Sequence, residues 1–136
     1  MLRDDALERL ATTVVDCGFA IHRDLGPGLL ESAYEMILAE EIRERGIEVS
    51  RQVAVPLRYK SVVVDNAFKI DLLIEDRLIV ELESIERLLP VHGKQVLTYL
   101  RLMNLPLGLL MNFGEEVFRT GVRRIANNYS GDRSKG

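Results

Sequence analysis

The segment Phe68-Lys69-Ile70-Asp71-Leu72-Leu73-Ile74-Glu75-Asp76-Arg77-Leu78-Ile79-Val80-Glu81-Leu82-Glu83 reads as two β-strands around a short polar turn. A strand exposes alternate residues to opposite sides, so its two faces can be read separately. One face would carry Phe68, Ile70, Leu72, Ile74, Leu78, Val80 and Leu82, all apolar. The other would carry Lys69, Asp71, Leu73, Ile79, Glu81 and Glu83, with its charges gathered at the end farthest from the turn. A loop of Glu75, Asp76 and Arg77 pairs Ile74 with Leu78, which sets Asp71 opposite Glu81 and Lys69 opposite Glu83. A two-residue turn would instead separate the two acids onto different faces. Facing carboxylates about 5 Å apart repel unless positive charge lies between them. Two arrangements supply it: a hard divalent cation such as Mg²⁺, which takes one or two carboxylates plus water and phosphate oxygens, or a solvated sheet edge neutralised by Lys69.

Outward from the hairpin, the chain alternates helical and extended patterns. Leu7, Leu10, Val14, Cys17, Gly18 and Ile21 recur at helical spacing, which predicts a helix from about Asp5 to Leu25, stopped by Gly26, Pro27 and Gly28. A second helix is expected from about Leu29 to Arg45, ending at Gly46. The β-branched stretch Ile47 to Tyr59 predicts a strand, with Pro56 marking an edge or a bulge. Strands at Val62–Ile74 and Leu78–Leu82 form the hairpin. A helix over Val91–Met103, a strand over Leu107–Asn112 and a last helix over Glu115–Ala126 complete the order ααβββαβα. Neither a linker nor a repeat divides the chain, so residues 1–128 read as one domain and 129–136 as a flexible tail.

With 136 residues, the chain is long enough for one ordinary core. It has 18 basic and 21 acidic residues, a net charge of -3, which argues against a protein that coats nucleic acid non-specifically but not against a site that concentrates carboxylates. Arg119, Arg123, Arg124, Arg133 and Lys135 are the candidates for a local basic patch, or else a solvated helix face and tail. The acidic N-terminus and the absence of a long apolar run predict a cytoplasmic protein with no membrane association. The single Cys17 reads as a small core hydrophobe.

Gly28-Leu29-Leu30-Glu31-Ser32-Ala33-Tyr34 fits the pattern GxxExxY, and the chain resembles the GxxExxY family of PD-(D/E)XK nuclease-like proteins. Ile70 to Ile74, Ile79 to Leu82, His92 to Tyr99, Gly108 to Phe113 and Gly121 to Arg124 resemble that family in order and spacing, so the likeness runs from Phe19 to Ile125. It implies an α/β fold with a restriction-endonuclease-like core, a mixed sheet of about four strands flanked by helices. It also implies a phosphodiester-cleaving site using Mg²⁺ or Mn²⁺, with Asp71, Glu81 and Glu31 as metal ligands. Gln95 and Tyr99 resemble the QxxxY element that positions substrate in RecB-type members, and with His92 they share one side of their helix.

One position departs from the pattern. The superfamily has Lys two residues after the Glu, where this chain has Glu83. Three readings remain open: activity is lost, Glu83 acts as general base or extra metal contact, or Lys69 supplies the missing cation. Lys94 sits on what reads as the outer helix face. Glu31 is open to two roles, capping the second helix or reaching the metal, and Tyr34 to two more, a core ring or a substrate contact. His22, near the end of the first helix, reads as structural. The expectation is a metal-dependent nuclease acting on DNA through Asp71, Glu81, Glu83 and Lys69, with a non-catalytic binding or assembly module, open to homodimerisation, as the alternative.

Overall fold

A computed structural model, which describes residues 3–129, folds the hairpin in the expected register: Leu72 faces Val80, Leu73 faces Ile79 and Ile74 faces Leu78. Glu75 and Asp76 turn the chain with positive φ, and the Arg77 amide donates to the Ile74 carbonyl at 2.9 Å. The elements are α1 (Asp5–Leu25), α2 (Glu31–Arg43), β1 (Val49–Tyr59), β2 (Val62–Ile74), β3 (Leu78–Glu83), α3 (Pro90–Met103), β4 (Leu107–Asn112), a 3-10 turn (Phe118–Gly121) and β5 (Val122–Ala126). The sheet order is β1-β2-β3-β4-β5, antiparallel except for the parallel β3–β4 pair, which α3 connects. This is the mixed α/β architecture that the sequence implied.

Two apolar layers hold it together. Leu7, Ala11, Val14, Cys17 and Ile21 of α1 and Tyr34, Leu38 and Ile42 of α2 pack on Leu72, Ile74, Leu78, Val80 and Leu82. On the other side, Val96, Tyr99 and Leu100 of α3 cover Leu73, Ile79 and Leu110. Each fully buried Leu or Ile contributes about 1.5–3 kcal/mol, whereas exposed ion pairs such as Arg23–Asp24 contribute little, so the layers decide stability. α1 begins where the Asp4 side chain accepts the Leu7 amide at 3.0 Å, and it stops at Gly26, whose φ of 71° suits glycine. Gly18 lets α1 approach closely: a Cβ there would meet Met111 at 2.3 Å and Phe118 at 2.7 Å.

The single apolar face expected along the hairpin divides at Asp71. Leu72 and Ile74 belong to the α1–α2 layer, whereas Phe68 and Ile70 pack beside Tyr99 in the α3 layer. Across the ladder, Val49 goes with the first group and Val53 and Val55 with the second. The inversion falls at Gln52, which has φ 51° and, with Asp71 opposite it, drops out of the β1–β2 pairing between Arg51–Leu72 and Val53–Ile70. A strict two-residue period cannot reveal such a switch. Pro56 does mark both an edge strand and a register shift, between Val55 and Leu57.

The last element differs from expectation. Residues Glu115–Ala126 form no α-helix; a turn and the 3-10 segment lead into β5, which pairs Leu107 with Ala126 and Met111 with Val122. All six residues of β4 are buried, and without β5 its backbone edge would be open, so edge pairing overrides the local helical pattern. Tyr129, at the start of the expected tail, is buried, with its hydroxyl donating to Glu8 at 2.6 Å; the rest of that tail lies outside the described residues. No helix among the described residues is long and apolar enough to cross a membrane.

Candidate active site

The acids converge where β2 kinks and β3 runs out beneath the start of α2. Asp71 and Glu81 are clasped reciprocally: the Asp71 amide donates to Glu81 Oε2 at 2.7 Å, and the Leu82 amide donates to Asp71 Oδ2 at 2.9 Å. Both carboxylates are thereby held between the two strands, facing one another. Burial first, then the Asp71 charge, pushes the Glu81 carboxyl up to about 9. Burial likewise raises Asp71 to about 6, opposed by its bond from Leu82 and assisted by the Glu35 charge.

Two further acids complete the cluster. Glu31 is the first residue of α2, yet makes no capping hydrogen bond; burial, then the Glu83 and Asp71 charges, raise it to about 7. It thus does not cap its helix, and the charges of the cluster act on it. Glu83 is raised by burial, while the charge of His92 draws it down. Among the described residues, neither the Glu31 nor the Glu83 carboxyl accepts a hydrogen bond, and Glu81 Oε1 is likewise unengaged. The unengaged oxygens of these acids are acceptors that a hard cation would satisfy.

Tyr99 closes one side. Its ring stacks on Phe68 at 4.0 Å with planes 1° apart, and burial, then the charges of Glu81, Asp71 and Glu83, raise its hydroxyl. Gln95, one turn earlier, is exposed, and its side chain forms no hydrogen bond among the described residues. His92 turns its Nδ1 onto the Leu89 amide at 2.9 Å, which caps α3.

Two expected site residues and the expected basic patch do otherwise. Lys69 is exposed, lies opposite Ala54, and makes no ion pair among the described residues, so the expected pairing with Glu83 does not form; the switch at Asp71 turns Lys69 away from the face that Asp71 shares with Glu81. Tyr34 is fully buried, stacked on Phe113 at 4.5 Å, and its hydroxyl donates to the Gly26 carbonyl and accepts from the Leu29 amide at 3.2 Å. It fastens the α1–α2 turn and contacts no acid. The basic patch disperses: Arg124 pairs with Glu8, Arg123 caps the Thr120 carbonyl at 2.6 Å, and Arg133 and Lys135 lie outside the described residues. His22 is structural, donating to the Glu115 carbonyl at 2.7 Å.

Residues the sequence did not single out also reach the site. Glu35 is buried at 3% exposure and accepts from Arg51 Nε at 3.1 Å and Gln52 Nε2 at 2.7 Å. Gln52 donates in turn to Asp71 Oδ1 at 3.2 Å. The only early signal was Glu35 lying one turn after Glu31. Asn112, fully buried, accepts from the Ile85 amide at 3.0 Å and the Gly114 amide at 3.1 Å and fixes the loop after β3.

Whether this site suits a divalent ion can be judged from its donors. Among the described residues, no group of three or more His, Cys, Asp or Glu side chains is gathered to hold an ion alone. Two partly exposed carboxylates, Glu81 with Oε1 unengaged among the described residues and Asp71 held only by neutral donors, do match the needs of Mg²⁺, which keeps several waters and takes one or two protein ligands. A transition-metal site of nitrogen and sulfur donors does not fit, since Cys17 is buried in the α1 layer.

An α/β domain whose mixed sheet presents paired acids from adjacent strands is nuclease-like in architecture. The chain matches the model of the PD-(D/E)XK nuclease superfamily over residues 8–125 and belongs to that superfamily. No curated protein and no solved structure matches it.

Proposed function

We propose that the domain is a metal-dependent nuclease acting on DNA, and that within its superfamily it falls in the GxxExxY group. The observation that carries this reading is the reciprocal clasp of Asp71 and Glu81, two half-buried, mutually repelling carboxyls beside two more acids. Asp71 and Glu81 would hold Mg²⁺ or Mn²⁺, with Glu31 in reach of the ion or its water. Bound there, the ion would polarise the phosphodiester and lower the pKa of a water. Glu83 occupies the place of the usual Lys and would accept the proton of the attacking water, while His92 beside it balances its charge. Tyr99 would orient the substrate at the rim, and Gln95, exposed on the same helix, would meet the strand beyond it.

A charged surface supports a polyanionic substrate. Past Asp71 the β1–β2 pair continues to Tyr59–Val62 without β3, as a two-stranded ribbon roughly 30 Å long at 3.3 Å per residue. Arg58, Lys60 and Lys69 lie exposed along it with only Asp65 as an acid, and none is in an ion pair among the described residues. Lys69 thus serves better as a backbone contact than as a partner of the acids.

One observation favours a second reading, a non-catalytic assembly module that dimerises. Tyr59, Val62, Val63 and Val64 at the ribbon tip are 44–67% exposed, a concentration of apolar surface typical of a protein contact. Nicking of supercoiled plasmid in Mg²⁺ or Mn²⁺ separates the two. The nuclease reading expects cleavage by the wild type that Asp71→Ala abolishes and Glu83→Lys preserves or raises; equal behaviour of wild type and Asp71→Ala sinks it.

A further inference from the structure

The kink at Asp71 has a visible cause on the neighbouring strand. Gln52 sits at φ 51°, a conformation uncommon for a residue with a Cβ and kept only where its surroundings hold it. Its amide nitrogen has two hydrogens, one donated to Glu35 Oε1 at 2.7 Å and one to Asp71 Oδ1 at 3.2 Å. Glu35 itself cannot drift, because it is buried in α2 and Arg51 binds its other oxygen at 3.1 Å. Arg51 and Gln52 are consecutive, so an extended backbone would send them to opposite faces; the positive φ between them allows both to reach the same carboxylate.

We infer that Glu35 and Gln52 are positioning residues that aim the Asp71 carboxylate at Glu81. The chemistry suits the task. Asp71 Oδ2 is held by the Leu82 amide and Oδ1 by the Gln52 amide, so the group is fixed from both sides by neutral donors. A Lys or Arg in place of Gln52 would neutralise Asp71 and compete with a bound cation; a neutral amide orients the carboxylate and leaves its charge for the ion. The one cation of the network, Arg51, is matched to Glu35 instead. The inference builds on the metal-site reading above, but its geometry belongs to the metal-free chain and can be read there.

The test pairs amide exchange without metal with Mn²⁺ titration, on wild type, Gln52→Ala, Glu35→Ala and Glu35→Gln. In Gln52→Ala and Glu35→Ala, the Leu82 and Asp71 amides should exchange at least tenfold faster relative to core amides of β4, and Mn²⁺ affinity should fall about tenfold. Glu35→Gln keeps an oxygen for Gln52 but loses the acceptor for Arg51, so it should fall between wild type and Glu35→Ala in both, a partial rescue that general destabilisation would not produce. Wild-type exchange at Leu82 and Asp71 in Gln52→Ala overturns the inference, as does uniform acceleration of all amides. If the wild type itself binds no Mn²⁺, the metal-site reading fails while the exchange result still decides the positioning roles.

Discussion

Replacing Glu81 by Gln should make the metal-free protein more stable at pH 8. The Glu81 carboxyl is raised from 4.5 to about 9 by burial and by Asp71. Because the folded-state value is the higher one, the protonated carboxyl gives its full stability below about pH 4.5, and that contribution is lost progressively as pH rises toward 9. At 1.36 kcal/mol per pH unit, the ceiling on the loss by pH 8 is about 5 kcal/mol. Glu81 keeps some exposure, and water screening with relaxation reduces the net effect to roughly 2 kcal/mol. Gln cannot ionise and still offers an oxygen to the Asp71 amide, so Glu81→Gln should recover this amount, a rise of about 7 °C in Tm. Urea denaturation in chelator, compared at pH 8 and pH 4.5, is the assay. The gain should be present at pH 8 and vanish at pH 4.5; a variant no more stable than wild type at pH 8 would refute a crowded, desolvated acid.

Further outcomes follow from other parts of the molecule. Asn112→Ala should cost about 2–3 kcal/mol in urea denaturation, since the Ile85 and Gly114 amides lose their acceptor in a partly buried loop. Tyr34→Phe should cost about 1–2 kcal/mol while leaving Mn²⁺ affinity unchanged, because its hydroxyl serves Gly26 and Leu29 and no acid. Changing Arg58, Lys60 and Lys69 together to Ala should weaken duplex DNA binding and lower the slope of log affinity against log salt by about 2–3, measured by fluorescence anisotropy; an unchanged slope would remove the ribbon from the DNA-binding surface.

How much of this was legible in the chain depends on which force governs each part. α1 was readable because its apolar spacing and Gly26 are local signals, and the Asp71–Glu81 register followed from a loop length written in the sequence. Edge pairing is not local: β5 forms because β4 needs a partner, so a segment with helical character became a strand. The fate of Lys69 was hidden for a related reason. Alternation assigns it to the face of Asp71, and only the inversion at Gln52 moves it away, an inversion maintained by Glu35 from a helix 17 residues earlier. Tyr34 has one residue type for two jobs, and only the packed turn shows its hydroxyl joined to Gly26.

Calorimetric titration of Mn²⁺ into wild type and Asp71→Asn goes straight to the paired acids. One ion should bind per wild-type chain, with binding lost or weakened at least tenfold in Asp71→Asn while both proteins remain folded by circular dichroism. Equal binding to both, or none to the folded wild type, would contradict a shared cation at Asp71 and Glu81.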